Sequence, residues 1–241
     1  MNEKIPKYIH YCWFGKNKIP RKYQKYINTW SHFLPDYKII KWNEENFPIK
    51  EFAFAKEALE KGKWAFISDV ARIYALKTMG GIYFDTDVEM IKPFYDILQN
   101  RGAILGTEGI KERTIGTGFM AFRPAHPICE RMFEYYLNSH FIKADGTLNM
   151  YPNTCLMADV IQELYNICPS DEIQCCADMI LYPQEYFTAY NGELGRTVIE
   201  PETYCVHHFA ASWQPKRQRI KYILKTTKNR IIYKFPIKRR E

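Results

Sequence analysis

The chain lacks the marks of several protein classes. No apolar run approaches the 18 or more residues of a membrane-spanning helix, and the first residues lack the basic-then-apolar layout of a cleaved export signal. Its seven cysteines are odd in number and scattered, with no CxxC pair. That excludes a disulfide framework and a zinc-ligand spacing, and it fits reduced thiols in the cytoplasm. There is no internal repeat and no low-complexity tract. What remains is an ordinary globular composition, 46% hydrophobic and 25% charged over 241 residues. A chain of this length buries enough core to fold without a structural metal.

The net charge of +7 is uneven. Residues 216–241 carry 11 Lys and Arg against one acidic residue, leaving 23 basic and 26 acidic residues for the first 215. The expected organisation is therefore one domain over 1–215 and a basic, amphipathic tail over 216–241. In the tail Ile220, Ile223, Leu224 and Phe235 interleave with basic residues. Such a segment either stays solvated or docks peripherally on the anionic inner face of a membrane. No base-reading module accompanies it, so nucleic acid is not expected.

Strand and helix signals alternate along the domain. Tyr8–Trp13 and Tyr37–Trp42 are β-prone, and helices are expected over Pro20–Leu34 and Phe52–Lys61. In Trp64–Met79 apolar residues recur at helical spacing until Gly80-Gly81 stops them. Short strands follow at Ile82–Phe84, Ala103–Gly106, Gly118–Phe122, Met179–Leu181 and Tyr204–Phe209, with helices at Pro127–Asn138 and Thr154–Tyr165. This alternation predicts an α/β domain with a largely parallel sheet.

The most informative chemistry is Asp85-Thr86-Asp87, directly after the apolar strand. Ligands in open α/β sheets bind beyond the carboxyl ends of strands. Two carboxylates one residue apart at such an end reach a hard divalent cation, Mn²⁺ or Mg²⁺, which prefers oxygen ligands. For D-x-D alone a plain polar turn is the alternative. A haloacid-dehalogenase-like phosphatase also ends an apolar strand in D-x-D, its first Asp attacking phosphorus. A non-catalytic nucleotide-sugar-binding protein is a third reading.

Three ordered motifs narrow the choice. Ile5–Gly15 contains Trp13-Phe14-Gly15, and Ser68-Asp69-Val70-Ala71-Arg72 precedes Gly80-Gly81-Ile82-Tyr83-Phe84-Asp85-Thr86-Asp87. Val206-His207-His208-Phe209-Ala210-Ala211-Ser212-Trp213 comes near the end. Together they resemble the DXD sugar-binding glycosyltransferases, family 32. That group contains yeast mannosyltransferases and bacterial capsular-polysaccharide transferases, and it is similar to the glucosylating domain of the large clostridial toxins. The resemblance implies a GT-A (Rossmann-like, nucleotide-sugar-binding) fold with a mixed, mostly parallel sheet flanked by helices. It also implies a retaining, metal-dependent hexose transfer from a nucleotide sugar, chiefly UDP-linked, to a glycan or lipid-linked saccharide acceptor.

Residue by residue, the resemblance implies that Trp13 stacks on the donor base, where the alternative is a core tryptophan. Asp69 takes sugar hydroxyls, and Arg72 contacts sugar and phosphate oxygens; a plain structural ion pair is the other reading. Asp85 contacts ribose and sugar, and Asp87 is the direct metal ligand, with Glu89 peripheral. His208 is the better-aligned histidine for the metal, His207 facing the opposite side of the strand. Ser212 and Trp213 contact the β-phosphate. The toxins use a glutamate as metal ligand in this region, which leaves the third protein ligand open. Gly116–Pro124 resembles the strand lining the donor sugar, and Tyr151-Pro152-Asn153 departs from the glycine-proline of the family.

Overall fold

The computed structural model describes residues 4–109, 114–191 and 196–210. Ser212, Trp213 and the basic tail expected over 216–241 lie outside the described residues. Among the described residues, eleven strands and six α-helices occur in the order β1 (Tyr8–Cys12), α1 (Arg21–Phe33), β2 (Lys38–Trp42), α2 (Ala53–Glu60), α3 (Trp64–Met79), β3 (Gly81–Phe84) and β4 (Val88–Met90). These are followed by β5 (Ala103–Gly109), β6 (Thr114–Phe122), α4 (Pro127–Leu137), α5 (Asn153–Tyr165), β7 (Gln174–Cys176), β8 (Met179–Tyr182), α6 (Gln184–Phe187), β9 (Tyr190–Asn191), β10 (Arg196–Thr197) and β11 (Cys205–His207). Among the described residues no helix is long and apolar enough to cross a membrane.

Seven strands form the central sheet in the order β2-β1-β3-β6-β5-β8-β7. Strands β1, β2, β3, β5 and β8 run one way, and β6 and β7 run against them. This is the mixed, mostly parallel α/β sheet expected. Its middle strands are apolar on both faces because helices cover both. Tyr83, Leu105, Met120 and Leu181 pack towards α2, α3, α4 and α5. Ile82, Phe84, Ile104 and Ala121 pack towards α1 on the other side. All four residues of β3 are buried, as a strand covered on both faces requires.

The connection from α3 to β3 sets the site. Gly80 and Gly81 adopt φ of 62° and 109°, the left-handed region that glycine alone enters freely. A Cβ on Gly80 would lie 2.6 Å from Pro124 Cδ, and one on Gly81 would lie 2.7 Å from the Tyr8 carbonyl oxygen. The chain therefore reverses with no intervening loop. From Arg72 to Met79 the helix descends about 10 Å at 1.5 Å per residue. The four residues of β3 climb back about 13 Å. The first half of α3 is thus level with the carboxyl end of β3, which is where Asp85 begins.

Beyond β3 the chain forms a small second sheet. Strand β4 pairs antiparallel with β11, with His207 opposite Val88 and Val206 opposite Glu89. The Trp30 indole, fully buried in α1, donates to the Val88 carbonyl at 2.9 Å and anchors this flap to the core. Strands β4, β7, β9 and β10 were not anticipated: each has only two or three residues, too few for a two-residue period to register.

Candidate active site at the carboxyl end of the sheet

Arg72 is the hub of the site. It is 6% exposed and rises from the middle of α3. Its Nη2 lies 3.2 Å from Asp69 Oδ1 and 3.3 Å from Asp85 Oδ1. Nη1 donates to the Thr117 carbonyl at 2.7 Å and to Thr117 Oγ1 at 3.3 Å, and Nε donates to the Ser68 carbonyl at 3.3 Å. The guanidinium also lies 4.7 Å over the Tyr83 ring. Burial opposes its charge, yet Asp85, Tyr83 and Asp69 hold it firmly protonated. A buried arginine with two carboxylates and a carbonyl in its fork has little freedom to move.

Its acidic partners are fixed in turn. Asp85 Oδ1 accepts from Tyr83 OH at 2.9 Å, and the Asp85 amide donates to the Gly118 carbonyl at 2.8 Å. Tyr83 and Asp85, two residues apart, share the α3 side of the strand, which is why Arg72 reaches both. Burial is the largest influence on Asp69 and raises its carboxyl to about 6, with Arg72 pulling the other way. Asn153, buried at the start of α5, donates to Asp69 at 3.3 Å.

Asp87 sits one turn further on. Its Oδ2 accepts from the Ala210 amide at 2.8 Å, its carbonyl accepts from the His208 amide at 3.0 Å, and its Oδ1 lies 3.4 Å from His207 Nε2. Burial works against both charges of the Asp87–His207 pair. Their mutual attraction wins, keeping the carboxyl below its usual range and the imidazole above its own. Each of Asp85, Asp87 and His207 offers a ligand atom, and the three atoms lie within 4.8 Å of one another. Opposite them Gly118 leaves room, since a Cβ there would stand 2.9 Å from His207 Cε1 and 3.3 Å from Asp85 Oδ2.

One sequence expectation is corrected here. His208, assigned to the metal, turns to the other side of the chain: its Nε2 meets Glu89 Oε2 at 2.8 Å and its ring stacks on Tyr26 at 4.3 Å. His207 takes the place beside Asp87. The two do face opposite sides as expected, but β11 enters the small sheet with His207 opposite Val88, and that register turns His207 to the carboxylates. Glu89, read as peripheral, is the partner of the displaced histidine.

The expected residues that are described, apart from His208, line one open cleft, and His207 joins them. Trp13, Asp69, Arg72, Asp85, Asp87 and His207 all border it. Trp13 is half-buried, donates from its indole to the Asn17 carbonyl at 2.7 Å and meets Tyr23 edge-on at 6.1 Å. Five residues that border the cleft were given no site role in the sequence: Tyr83, Thr117, Asn153, Glu108 and His207, the last read as facing away. Burial is the largest influence on Glu108 and raises its carboxyl. Gly116 and Gly118 were the available signal for Thr117, because glycines in a strand mark a bulge or a close approach. Nothing in sequence order joins Asn153 or Glu108 to Asp69 or His207.

Comparison with known proteins points to glycosyltransferases. Residues 20–103 match the family model described as a glycosyltransferase sugar-binding region containing a DXD motif. Asp69, Arg72, Asp85 and Asp87 fall inside that stretch; Trp13 and His207 fall outside it. The chain is 28% identical over 225 residues to an uncharacterised glycosyltransferase of Acanthamoeba polyphaga mimivirus, covering 88% of this chain and 84% of the relative. It is also 28% identical over 175 residues to inositol phosphoceramide mannosyltransferase 1 of Schizosaccharomyces pombe, covering 69% of this chain but only 52% of that protein. Among solved structures, the PaToxG glycosyltransferase superposes with a TM-score of 0.55 at 18% identity, over 68% of this chain and 71% of the other. That last likeness speaks for the fold alone.

Proposed function

We propose that this chain, whose residues 20–103 match a DXD-containing glycosyltransferase sugar-binding region, is a GT-A-fold, metal-dependent retaining hexosyltransferase that uses a nucleotide-sugar donor, UDP-linked in the first place. The observation that carries this reading is the cluster of Asp85, Asp87 and His207 at the carboxyl end of β3, beside the Arg72 hub. A phosphatase would need Asp85 as a nucleophile. Here Oδ1 of that carboxylate is engaged by Arg72 and Tyr83, and the matched region is a sugar-binding one.

The donor set suits a divalent cation. Two carboxylates and one imidazole make a mixed hard and borderline set, which favours Mn²⁺ ahead of Mg²⁺. Asp85, Asp87 and His207 would hold it, and a bound cation supplies positive charge to the departing diphosphate. The chain's own residues do the positioning. Arg72 keeps Asp69 and Asp85 in place, and Asp69, ionised above about pH 6, accepts hydroxyl hydrogens of the donor sugar. The Arg72 donors meet protein groups. Its contribution is therefore to aim the two acids, together with any contact to sugar and phosphate oxygens that opens on binding. Trp13 offers an indole face at the cleft wall for the base, an interaction that tolerates any planar ring. Ser212 and Trp213 complete the diphosphate contacts in this reading.

Reaction by front-face transfer asks only for positioning and electrostatic stabilisation. The acceptor in this proposal is a glycan or lipid-linked saccharide, as in capsular polysaccharide assembly, met by a cytoplasmic enzyme resting peripherally on the inner membrane face through its basic tail. The fission-yeast relative, whose name combines mannose with a ceramide lipid, adds mannosyl donors to those worth testing. The test is a panel of UDP- and GDP-sugars with and without Mn²⁺, the released or transferred sugar followed by NMR. Metal-dependent turnover of one donor, the first-formed product keeping the donor's anomeric configuration, is expected. An inverted product overturns retention, and turnover of no donor in Mn²⁺ overturns the enzyme reading.

A further inference from the structure

The ladder between β5 and β6 is regular from Ala103–Phe122 to Leu105–Met120 and then slips, so that Thr107 faces Ile115. Regular pairing would set Thr107 against Gly118, so the extra residues of β6 are taken up over Gly116-Thr117-Gly118. Bulges of this kind re-aim side chains next to active sites. Two consequences are already visible, the Thr117 carbonyl on Arg72 and the Gly118 carbonyl on the Asp85 amide. A third concerns Glu108, on the strand facing the bulge.

Glu108 borders the cleft, and its Oε2 lies 3.8 Å from His207 Nδ1. That nitrogen is on the far side of the ring from Nε2, which faces Asp87. The two glycines make this approach feasible: a Cβ on Gly116 would stand 3.4 Å from Glu108 Oε2, and one on Gly118 would stand 3.1 Å from His207 Nδ1. Beside these groups is a cavity of about 10 Å³, bordered by Glu108, Thr188 and His207, by the nearby glycines, and by the apolar Val88, Phe119 and Phe187. It has room for about one water. Carboxylate and imidazole are 3.8 Å apart, longer than a direct hydrogen bond, a gap that one bridging water or a small ring movement would close.

We propose that Glu108 is a positioning residue for His207, accepting the Nδ1 proton directly or through one water and so presenting the Nε2 lone pair to a cation at Asp87. This rests on the metal reading above. A carboxylate behind a ligating imidazole fixes its tautomer and orientation, and its loss costs roughly 10–100-fold in metal affinity.

The full-length chain, saturated with UDP, is titrated with Mn²⁺ and free Mn²⁺ is read by electron paramagnetic resonance. Glu108→Gln keeps an acceptor oxygen and is expected to bind within about 3-fold of wild type, while Glu108→Leu and Glu108→Ala bind roughly 10–100-fold more weakly. Two apolar variants are used so that one failing to fold leaves the other. Turnover lost in them should return as Mn²⁺ is raised, which a merely structural defect would not show. Wild-type Mn²⁺ affinity in the apolar variants overturns the proposal even where their turnover is low, since Glu108 would then act on substrate. A wild-type chain that binds no Mn²⁺ overturns the metal reading itself, and the proposal with it.

Discussion

His207 and His208 are adjacent and do different things. Alternation along an extended chain puts them on opposite sides, and that much is legible in the sequence. Which side meets Asp87 depends on β4, a three-residue strand that no local pattern announces, and on its register with β11. The better-looking alignment of His208 was therefore misleading. The structure gives the two residues separable expectations. His207→Ala should lower Mn²⁺ affinity in the presence of UDP by more than about 10-fold, in the range found when metal-site residues are lost. His208→Phe keeps a ring on Tyr26 and gives up the partly exposed Glu89 bond. It should bind Mn²⁺ within about 3-fold of wild type and lose about 1 kcal/mol of stability. Calorimetric titration of the two variants with Mn²⁺ and UDP checks this; the reverse order of effects would return the metal to His208.

At the scale of elements, the α3–β3 unit carries most of the site, and it is also the part most readable from sequence. The apolar spacing over Trp64–Met79 matched the helix to the residue, and Gly80-Gly81 marked its end. The unit is buttressed from below by His10. Its Nε2 lies 2.8 Å from the Gly80 carbonyl, and Trp42 Nε1 donates to its Nδ1 at 3.1 Å, so the ring is a neutral imidazole with the proton on Nε2. Burial lowers it to about 4, against the Gly80 bond that would raise it. His126, which caps α4, is likewise lowered to about 4 by burial, with Asp178 opposing. Both have folded values below the ordinary 6.5. Their stabilisation is whole above pH 6.5 and is lost as pH falls through 4, by roughly 3 kcal/mol apiece between the plateaus. His207 has the opposite sign: raised by its carboxylates, it stabilises the fold below pH 6.5 and the gain is lost as pH rises past its elevated value. Thermal melts should show Tm rising slightly from pH 7.5 to 6.5 as His207 adds its share, then declining towards pH 4 as the two imidazole contributions are lost, the decline reduced by Asp69, whose buried carboxyl gains on protonation. A Tm that rises steadily down to pH 4 would contradict two buried neutral imidazoles.

Across the whole molecule, helices cover both faces of one sheet, and the cleft opens where the strands end in carboxylates. The alternation of strand and helix signals gives this architecture away in advance, because long periodic segments survive tertiary context. Contacts distant in the chain do not show in that way. Asn153 reaches Asp69 across 84 residues, and Glu108 approaches His207 across 99, only after the sheet has brought α5 and β11 to the same end. The slip between β5 and β6 was equally hidden, since two glycines announce a bulge without giving its register. The charge asymmetry belongs to this scale too: residues 1–215 are mildly acidic, the basic residues gather in 216–241, and in the proposed reading a cation would offset the charge of the former against a diphosphate.

The central claim is that a divalent cation at Asp87 couples this cleft to a nucleotide diphosphate. It is tested most directly by measuring Mn²⁺-dependent sugar transfer or hydrolysis for Asp87→Ala against wild type, at matched folding by circular dichroism and with the preferred donor saturating. The account predicts a loss of at least about 100-fold, the scale of removing one preorganised electrostatic group, with Tm shifted by only a few degrees. Transfer by Asp87→Ala at near-wild-type rate in Mn²⁺ would contradict it.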